Sequence, residues 1–493
     1  IAILEHLLHA NEAKGRLAII IDGADKVCPP TNKAMMGQEQ LALLATLEYW
    51  GNDRHLAEQN NPILLLSPHL NEIHPDLVAS DSGYKVIEQK LPDEATRRSY
   101  INWYLDDHRR KEPITLLDLT KEDLARNTAG LSLRQIEDIL LLGALSEEEP
   151  QSHQEAVGVS RLLVKSRKDA IIRQQYSETV IILDPLPEGF AGLGGMEPLI
   201  TFTREEVQLP LHEGRLQDVP KGILLVGPPG MGKTRYVEAM ARELGYNALS
   251  LRMSRILGGI VGTSERNLQA TFDLAVALCP TLLFIDELDQ THLAQRGTHS
   301  GSPVAGNLFG ALLQFMGDEA LRGRVIVIGA TNHIEHIDPA LLRPGRFDVI
   351  FPVLSPDATA RTSVIAVQAR LQTTTITPEA VDLITGMTEK YSPADLEAII
   401  KEARFLARRA GHTGIHLPDA REALENIRPV TLATVDTFTR QALEACNNLR
   451  FLPPQLATQE RERRRIAEQR RLHEQDTTTV RPLGMGARAA RRL

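Results

Sequence analysis

The stretch Gly227-Pro228-Pro229-Gly230-Met231-Gly232-Lys233-Thr234 restricts the fold of this chain more than any other. It follows the apolar run Gly222-Ile223-Leu224-Leu225-Val226, which reads as a buried strand, and it leads into Arg235 to Leu244, which reads as a helix. Glycines let a loop here bend back with its N–H groups pointing inward, and the helix adds the positive end of its dipole. Such a cradle fits a chain of phosphates. Lys233 would reach the β- and γ-phosphates, and the Thr234 hydroxyl would ligate Mg2+. Taken alone, the eight residues also describe a glycine-rich turn carrying a surface lysine.

Three further segments favour the phosphate reading. Leu282-Leu283-Phe284-Ile285-Asp286-Glu287 reads as a second buried strand ending in two carboxylates, Asp286 placed to hold Mg2+ and Glu287 to polarise an attacking water. Val325 to Thr331 reads as a third apolar strand, tipped by Asn332, whose amide can hydrogen-bond that water or the γ-phosphate. Leu342-Arg343-Pro344-Gly345-Arg346-Phe347-Asp348 sets two arginines on a turn, where their planar forks suit the γ-phosphate of a neighbouring subunit. Each is weak by itself, since strand ends often carry acids and loop arginines are usually solvated. Together they read as a site for hydrolysing ATP with Mg2+.

In that order the segments resemble the AAA+ ATPases, in the subgroup of membrane-anchored proteases, severing enzymes and proteasomal unfoldases. The likeness spans Leu193 to Ala410, through GLGG, GILLVGPPGMGKT, GGIVGTSERNLQATFDLA, LLFIDELD, ATNHIEHIDPALLRPGRFD and YSPADLEAIIKEA. It implies an α/β P-loop fold, a parallel sheet flanked by helices and followed by a helical lid. It also implies that Gly194, Pro228, Pro229, Gly230, Met231, Gly232, Lys233, Thr234 and Ala394 contact the nucleotide, with Thr234 and Asp286 at the Mg2+. Glu287 would be the catalytic base and Asn332 the sensor. Arg343 and Arg346 would be fingers reaching the next subunit of a homo-oligomeric ring, a hexamer. Ser392 to Ala403 would open the lid helix near the adenine. Two departures stand out. The subgroup's first pore loop carries an aromatic before Val-Gly, whereas Ile260 precedes Val261-Gly262 here, which bears on substrate threading. The lid motif has Gly before Ala-Asp-Leu, whereas Pro393 stands here and touches only local backbone.

The N-terminal part repeats this pattern in worn form. Leu17 to Asp25 aligns with Thr281 to Asp289, so that Asp22 falls on Asp286 at a register of 264 residues. The same register carries Ser67-Pro68-His69 onto Thr331-Asn332-His333, Ile73 to Leu77 onto Ile337 to Leu341, and Pro92, Asp93 and Arg97 onto Pro356, Asp357 and Arg361. At a register of 260, Gly130-Leu131-Ser132 through Leu140 resembles the lid helix. A degenerate AAA-like α/β domain is therefore expected over residues 1–150. It lacks the means of hydrolysis: Gly23 stands at Glu287, Pro68 at Asn332, and Ala79 and Ser82 at the two fingers. No glycine-rich loop precedes Leu17, and the chain opens at Ile1 and not at Met, which leaves room for a missing true N-terminus. A degenerate domain before one intact module resembles the reading-frame AAA proteins of plastids and cyanobacteria. Their pore loop also favours an aliphatic residue, as in Leu257 to Gly262.

Composition brackets this reading. A chain of 493 residues, 42% apolar and 24% charged, suits a soluble protein of two or three domains, and 4% aromatics imply aliphatic cores. A net charge of −9 counts against nucleic acid as the main partner. Cys28, Cys279 and Cys446 lie far apart without metal spacing, so a reducing cytoplasm fits better than a disulfide framework. Neither a membrane span nor a secretory signal is legible. Expected boundaries place a linker helix and strand at 151–184, the nucleotide-binding α/β subdomain at 185–355, a helical lid and C-terminal helix at 356–449, and an Arg-rich tail at 450–493. That tail holds eleven arginines against five acids and almost no apolar stripe. It reads as a solvated helix with a loose end, or as a docking arm for an acidic partner, nucleic acid or an anionic membrane.

The sum is a ring-forming ATPase that remodels or disassembles an unidentified protein partner. Two alternatives stay open. One is a nucleotide-gated assembly or regulatory protein that threads nothing, favoured by the inactive N-terminal domain and Ile260. The other is a nucleic-acid-associated ATPase anchored by the tail, against which the acidic net charge and the lack of a DNA-binding motif weigh.

Overall fold

A computed structural model describes residues 18–58, 61–67, 73–79, 81–87, 89, 91–106, 114–145, 158–176, 179–253, 256, 263–290, 303–429, 432–453 and 456–466. It falls into two compact units, Ile1–Lys90 and Leu91–Leu493. In the first, β1 (Ile19–Asp22) pairs in parallel with β2 (Ile63–Leu66). A parallel pair needs a crossover, and helix α1 (Gln38–Asn52) lies in it, packing Leu44, Leu47 and Trp50 with Ile19, Ile73 and Leu77.

The second unit opens with four helices: α2 (Glu94–Leu105), α3 (Lys121–Asn127), α4 (Leu133–Leu145) and α5 (Arg161–Tyr176). Ile101, Leu124, Ile136, Leu140 and Val164 share one core. Helix α5, placed in a linker by the sequence reading, is therefore a member of this bundle. Its Val164 and Ile171 need the apolar cover that the other three helices supply.

Six strands then form one sheet: β3 (Val180–Leu183), β4 (Gly222–Val226), β5 (Asn247–Leu251), β6 (Thr281–Ile285), β7 (Val325–Thr331) and β8 (Val349–Pro352), in the spatial order β3-β5-β6-β7-β4-β8. All neighbours are parallel except β3, which runs antiparallel to β5. Strands β4, β6, β7 and β8 are buried along their whole length, as strands covered on both faces must be. The period of two sends Leu224, Val226, Leu283 and Ile285 to one face and Ile223, Leu225, Leu282 and Phe284 to the other. Helix α6 (Lys233–Leu244) covers the second face with Tyr236, Val237 and Met240. Helices α7 (Thr263–Ala277) and α8 (Pro303–Gly317) cover the first with Leu268, Phe272, Leu308 and Leu312. The carboxyl ends of β4, β6 and β7 thus open on one edge, where ligands of parallel sheets bind.

Helices α9 (Ala358–Leu371), α10 (Pro378–Met387), α11 (Pro393–Arg409) and α12 (Leu417–Asn426) form a second bundle around Ile365, Ile384, Leu396, Ile400 and Ala420. Helix α13 (Leu432–Ala445) returns to the sheet through Ala442. Residues 456–466 are helical and do bury side chains, which corrects the expectation of a tail with nothing to pack: Ala457 and Glu460 are 6% and 7% exposed. Arg464 donates to Cys446 O at 2.8 Å, so a cation satisfies the carbonyl end of α13. The tail beyond 466 lies outside the described residues.

Both sequence registers survive in three dimensions. Ile19 pairs with Ile63 in β1–β2 as Leu283 pairs with Val327 in β6–β7, at the register of 264. The bundles share a hydrogen-bond set whose arginine and proline stand at 264 and whose later members stand at 260. Arg97 donates from Nη1 to Pro92 O (2.6 Å) and from Nε to Ala125 O (2.9 Å), and Arg361 does the same to Pro356 O (3.0 Å) and Thr385 O (3.2 Å). Thr128 and Thr388, both fully buried, each donate to the carbonyl four residues back at 2.7 Å. Leu116 bridges Val159 as Ile376 bridges Ile415, which puts α5 in the place of α12.

Candidate functional site

The chain turns immediately after β4. Gly227 N donates to Thr331 O at 3.2 Å, and a Cβ on Gly227 would stand 2.0 Å from Val353 O, so the position admits no side chain. Gly230 and Gly232 take φ of +77° and +82°, the left-handed region that glycine enters without strain. Helix α6 then starts with no side-chain cap, leaving its first N–H groups for whatever the loop encloses. Pro228 and Met231 are buried beneath the loop, while Pro229 is exposed.

Lys233 Nζ donates to Gly227 O (2.6 Å), Pro228 O (3.1 Å) and Asn332 Oδ1 (2.7 Å), joining loop and sensor position. Burial pulls its pKa down to about 8, against the opposing pull of Asp286, Asp289 and Glu287. Thr234 Oγ1 donates to Asp286 Oδ2 at 3.3 Å, and Asp286 Oδ1 accepts from Glu287 N at 2.9 Å. Among the described residues no three His, Cys, Asp or Glu side chains converge on a metal position. The Thr234 and Asp286 oxygens nonetheless suit Mg2+, which takes few protein oxygens and completes its shell with water and phosphate. Glu287 sits at φ +48°, where a residue with a Cβ is strained by about 1–2 kcal/mol. Gly23, its counterpart in the first unit, takes φ +73° freely.

Asp289 is a site residue that the sequence reading passed over. It is 3% exposed, and its Oδ1 accepts from Thr331 Oγ1 (2.8 Å) and Asn332 N (3.3 Å), fixing the tip of β7 beside Lys233. The available signal was its repeat partner Asp25. There an Oδ1 is buried with no hydrogen-bond partner among the described residues, and proline at 68 has no N–H to offer.

The lid closes one side. Ala394 N donates to Gly230 O at 3.3 Å, and a Cβ on Gly194 would come within 2.6 Å of Val364 Cα. Ser392 caps α11 reciprocally with Asp395, and Pro393 occupies the first helical position, where an N–H has no helical acceptor. The departure from Gly is thereby accommodated. Arg343 is exposed and its guanidinium makes no hydrogen bond or ion pair among the described residues, whereas Arg346 Nη1 donates to Ala340 O at 2.5 Å. Gly222, the first residue of β4, abuts Arg346 O, while the phosphate loop leaves the last. The pore-loop residues Ile260 and Val261 lie outside the described residues.

Comparison with known proteins agrees with this geometry. Residues 223–354 match the family described as ATPase family associated with various cellular activities (AAA). Residues 1–88 match the AAA+ chaperone, N-terminal Rossmann-like domain, and 95–177 the AAA+ chaperone, second helical domain. A proteasome-activating nucleotidase of Saccharolobus solfataricus is 32% identical over 54% of this chain and 67% of its own length. The chain belongs to the AAA ATPase family. A proteasome-activating nucleotidase of Methanoregula boonei is 37% identical over 50% of this AAA ATPase and 58% of the relative. A cell division cycle protein 48 homolog of Archaeoglobus fulgidus is 30% identical over 83% of this chain and 57% of the relative. The chain thus spans a little over half the length of these last two. In this AAA ATPase, 161–176 falls inside the stretch matched by the second helical domain, in keeping with the packing of α5.

Proposed function

We propose that this AAA ATPase binds ATP with Mg2+ at the Gly227–Thr234 loop, hydrolyses it within a homo-oligomeric ring, a hexamer, and uses the cycle to remodel a protein partner in the cytoplasm. The observation that carries the proposal is the convergence of Lys233, Asn332, Thr234 and Asp286 within hydrogen-bond distance at the ends of three parallel strands. Bound Mg2+–ATP supplies an electrophilic phosphorus with its charge partly neutralised. Lys233 holds the terminal phosphates, Thr234 and Asp286 hold the metal shell, Glu287 takes the proton of the attacking water, and Asn332 orients that water. The placement of Arg346 at the far end of β4, a span of roughly 13 Å at 3.3 Å per residue, supports a role for Arg343 and Arg346 on a neighbouring subunit's phosphate. Relatives named proteasome-activating nucleotidases and a cell division cycle protein 48 homolog point to work on protein partners. No helix among the described residues is long and apolar enough to cross a membrane.

Glu287→Gln tests the assignment. It retains Asp286 and the loop, so nucleotide affinity should stay within a fewfold of the parent while turnover falls at least about a hundredfold. Turnover at the parent rate would remove Glu287 as base. The second reading, a nucleotide-gated assembly factor, is favoured by the inert first unit, where Gly23 replaces the base. Stimulation of turnover by unfolded protein supports remodelling; indifference to it supports the gated reading.

A further inference from the structure

A cavity of about 70 Å3 lies between helix α5 and the β3–β5 edge of the sheet. A single water needs about 10–15 Å3 on this measure, so the space holds a molecule of several heavy atoms. Lys168 lines it, is 8% exposed, and its ammonium makes no hydrogen bond or ion pair among the described residues. Burial pulls its pKa down to about 8. Its stem is enclosed, while its ammonium reaches the open space of the cavity without an acceptor among the described residues, a placement that native structures retain for a reason.

Three observations give the reason a direction. The fold does not require a charge here: the bridge that sets Val159 on Ile415 sets Lys168 on Leu424, an apolar residue packed against the lid core. The surroundings carry both signs. Asp169 favours the charge on Lys168, while Arg97, 5% exposed, disfavours it and spends its own hydrogen bonds on the carbonyls of Pro92 and Ala125; Lys165 also lines the cavity. Of the nearby acids, Asp184 is paired with Arg173 at 3.5 Å, and Asp169, next to Lys168 on α5, has its own pKa raised by burial. The third observation is shape: Ile172, Leu249 and Leu278 make part of the wall apolar.

We propose that this cavity binds a small aliphatic monocarboxylate, its head paired with Lys168 and its body against Ile172, Leu249 and Leu278. Lys168 and Lys165 against Asp169, with Asp184 paired to Arg173, leave a place for a single negative charge. A phosphate dianion would need more donors and would leave the apolar wall unused. The proposal is independent of the ATPase assignment.

Butyrate added to the full chain at millimolar concentrations tests it, read by the NMR titration of the Lys168 side chain and by thermal melting. Pairing with a carboxylate should raise the Lys168 pKa by at least about one unit and raise the melting temperature, whereas the uncharged isostere butyramide should do neither. Lys168→Met keeps the volume and should fold, losing the butyrate-dependent rise in melting temperature. Lys165→Met should weaken it severalfold. No titration shift with butyrate, the same melting shift in Lys168→Met, or an equal response to inorganic phosphate would overturn the proposal.

Discussion

Two residues at the phosphate site show local physics bent to a task. Glu287 holds a left-handed backbone that its repeat partner Gly23 takes freely. Glu287→Gly should therefore be more stable than Glu287→Ala, by roughly 0.5–1 kcal/mol after the entropy of glycine is set against the relief of strain. Equal melting temperatures for the two variants would remove the strain argument. Lys233 is the second. With its pKa at about 8 and an ordinary lysine value of 10.5, it loses its proton across that window in the ligand-free chain. A polyphosphate favours the charged form, so nucleotide affinity should be flat below pH 8 and fall above it, approaching tenfold per unit, with proton uptake on binding. Calorimetry in buffers of different ionisation enthalpy checks this. Affinity that rises above pH 8 would contradict it.

At the scale of elements, the two four-helix bundles are held by the same buried arginine. Arg361 closes α9 onto α10 by donating to Pro356 O and Thr385 O, and Arg97 closes α2 onto α3 through Pro92 O and Ala125 O. Either Arg→Met change leaves two carbonyls short of a partner in a buried place and should cost about 2–3 kcal/mol. Hydrogen exchange should show the loss of protection confined to the bundle that carries the change, since each has its own core. Loss of protection in both bundles from either single change would mean that they do not unfold as separate units. Helix 456–466 is a lesson in the same register. Its stripe is weak, but Glu460 is ion-paired to Arg464, which also caps α13.

At the scale of the molecule, one intact phosphate site and one worn copy predict one nucleotide per chain, and calorimetric stoichiometry of two would show that the first unit binds as well. Arg343 is exposed on the turn before Arg346, whose carbonyl abuts the end of β4 remote from the phosphate loop, so in the proposed ring it would serve a neighbouring chain's nucleotide. Arg343→Ala and Arg346→Ala chains should bind ATP normally and turn it over poorly. Mixing either with Lys233→Ala chains should restore part of the activity, because some interfaces then pair an intact loop with an intact finger. Co-assembled mixtures with no gain would exclude catalysis across subunits.

The phosphate loop, the acids after β6 and the amide after β7 were legible in sequence because each sits where a continuous apolar run meets a turn. Strand burial and backbone chemistry leave little freedom at such junctions. The 264-residue register was legible for the same reason, since β-pairing preserves spacing. What tertiary structure alone decided were contacts between residues remote in sequence. Asp289 acquires its role by accepting from Thr331 and Asn332 across two strands. Helix α5 is assigned to a bundle, and not to a linker, by Val159 meeting Leu116. Lys168 is buried because the sheet edge comes to rest beside α5. A local pattern reports which face of an element is apolar; which neighbour covers it, and which polar groups are trapped there, is settled only when the whole chain packs.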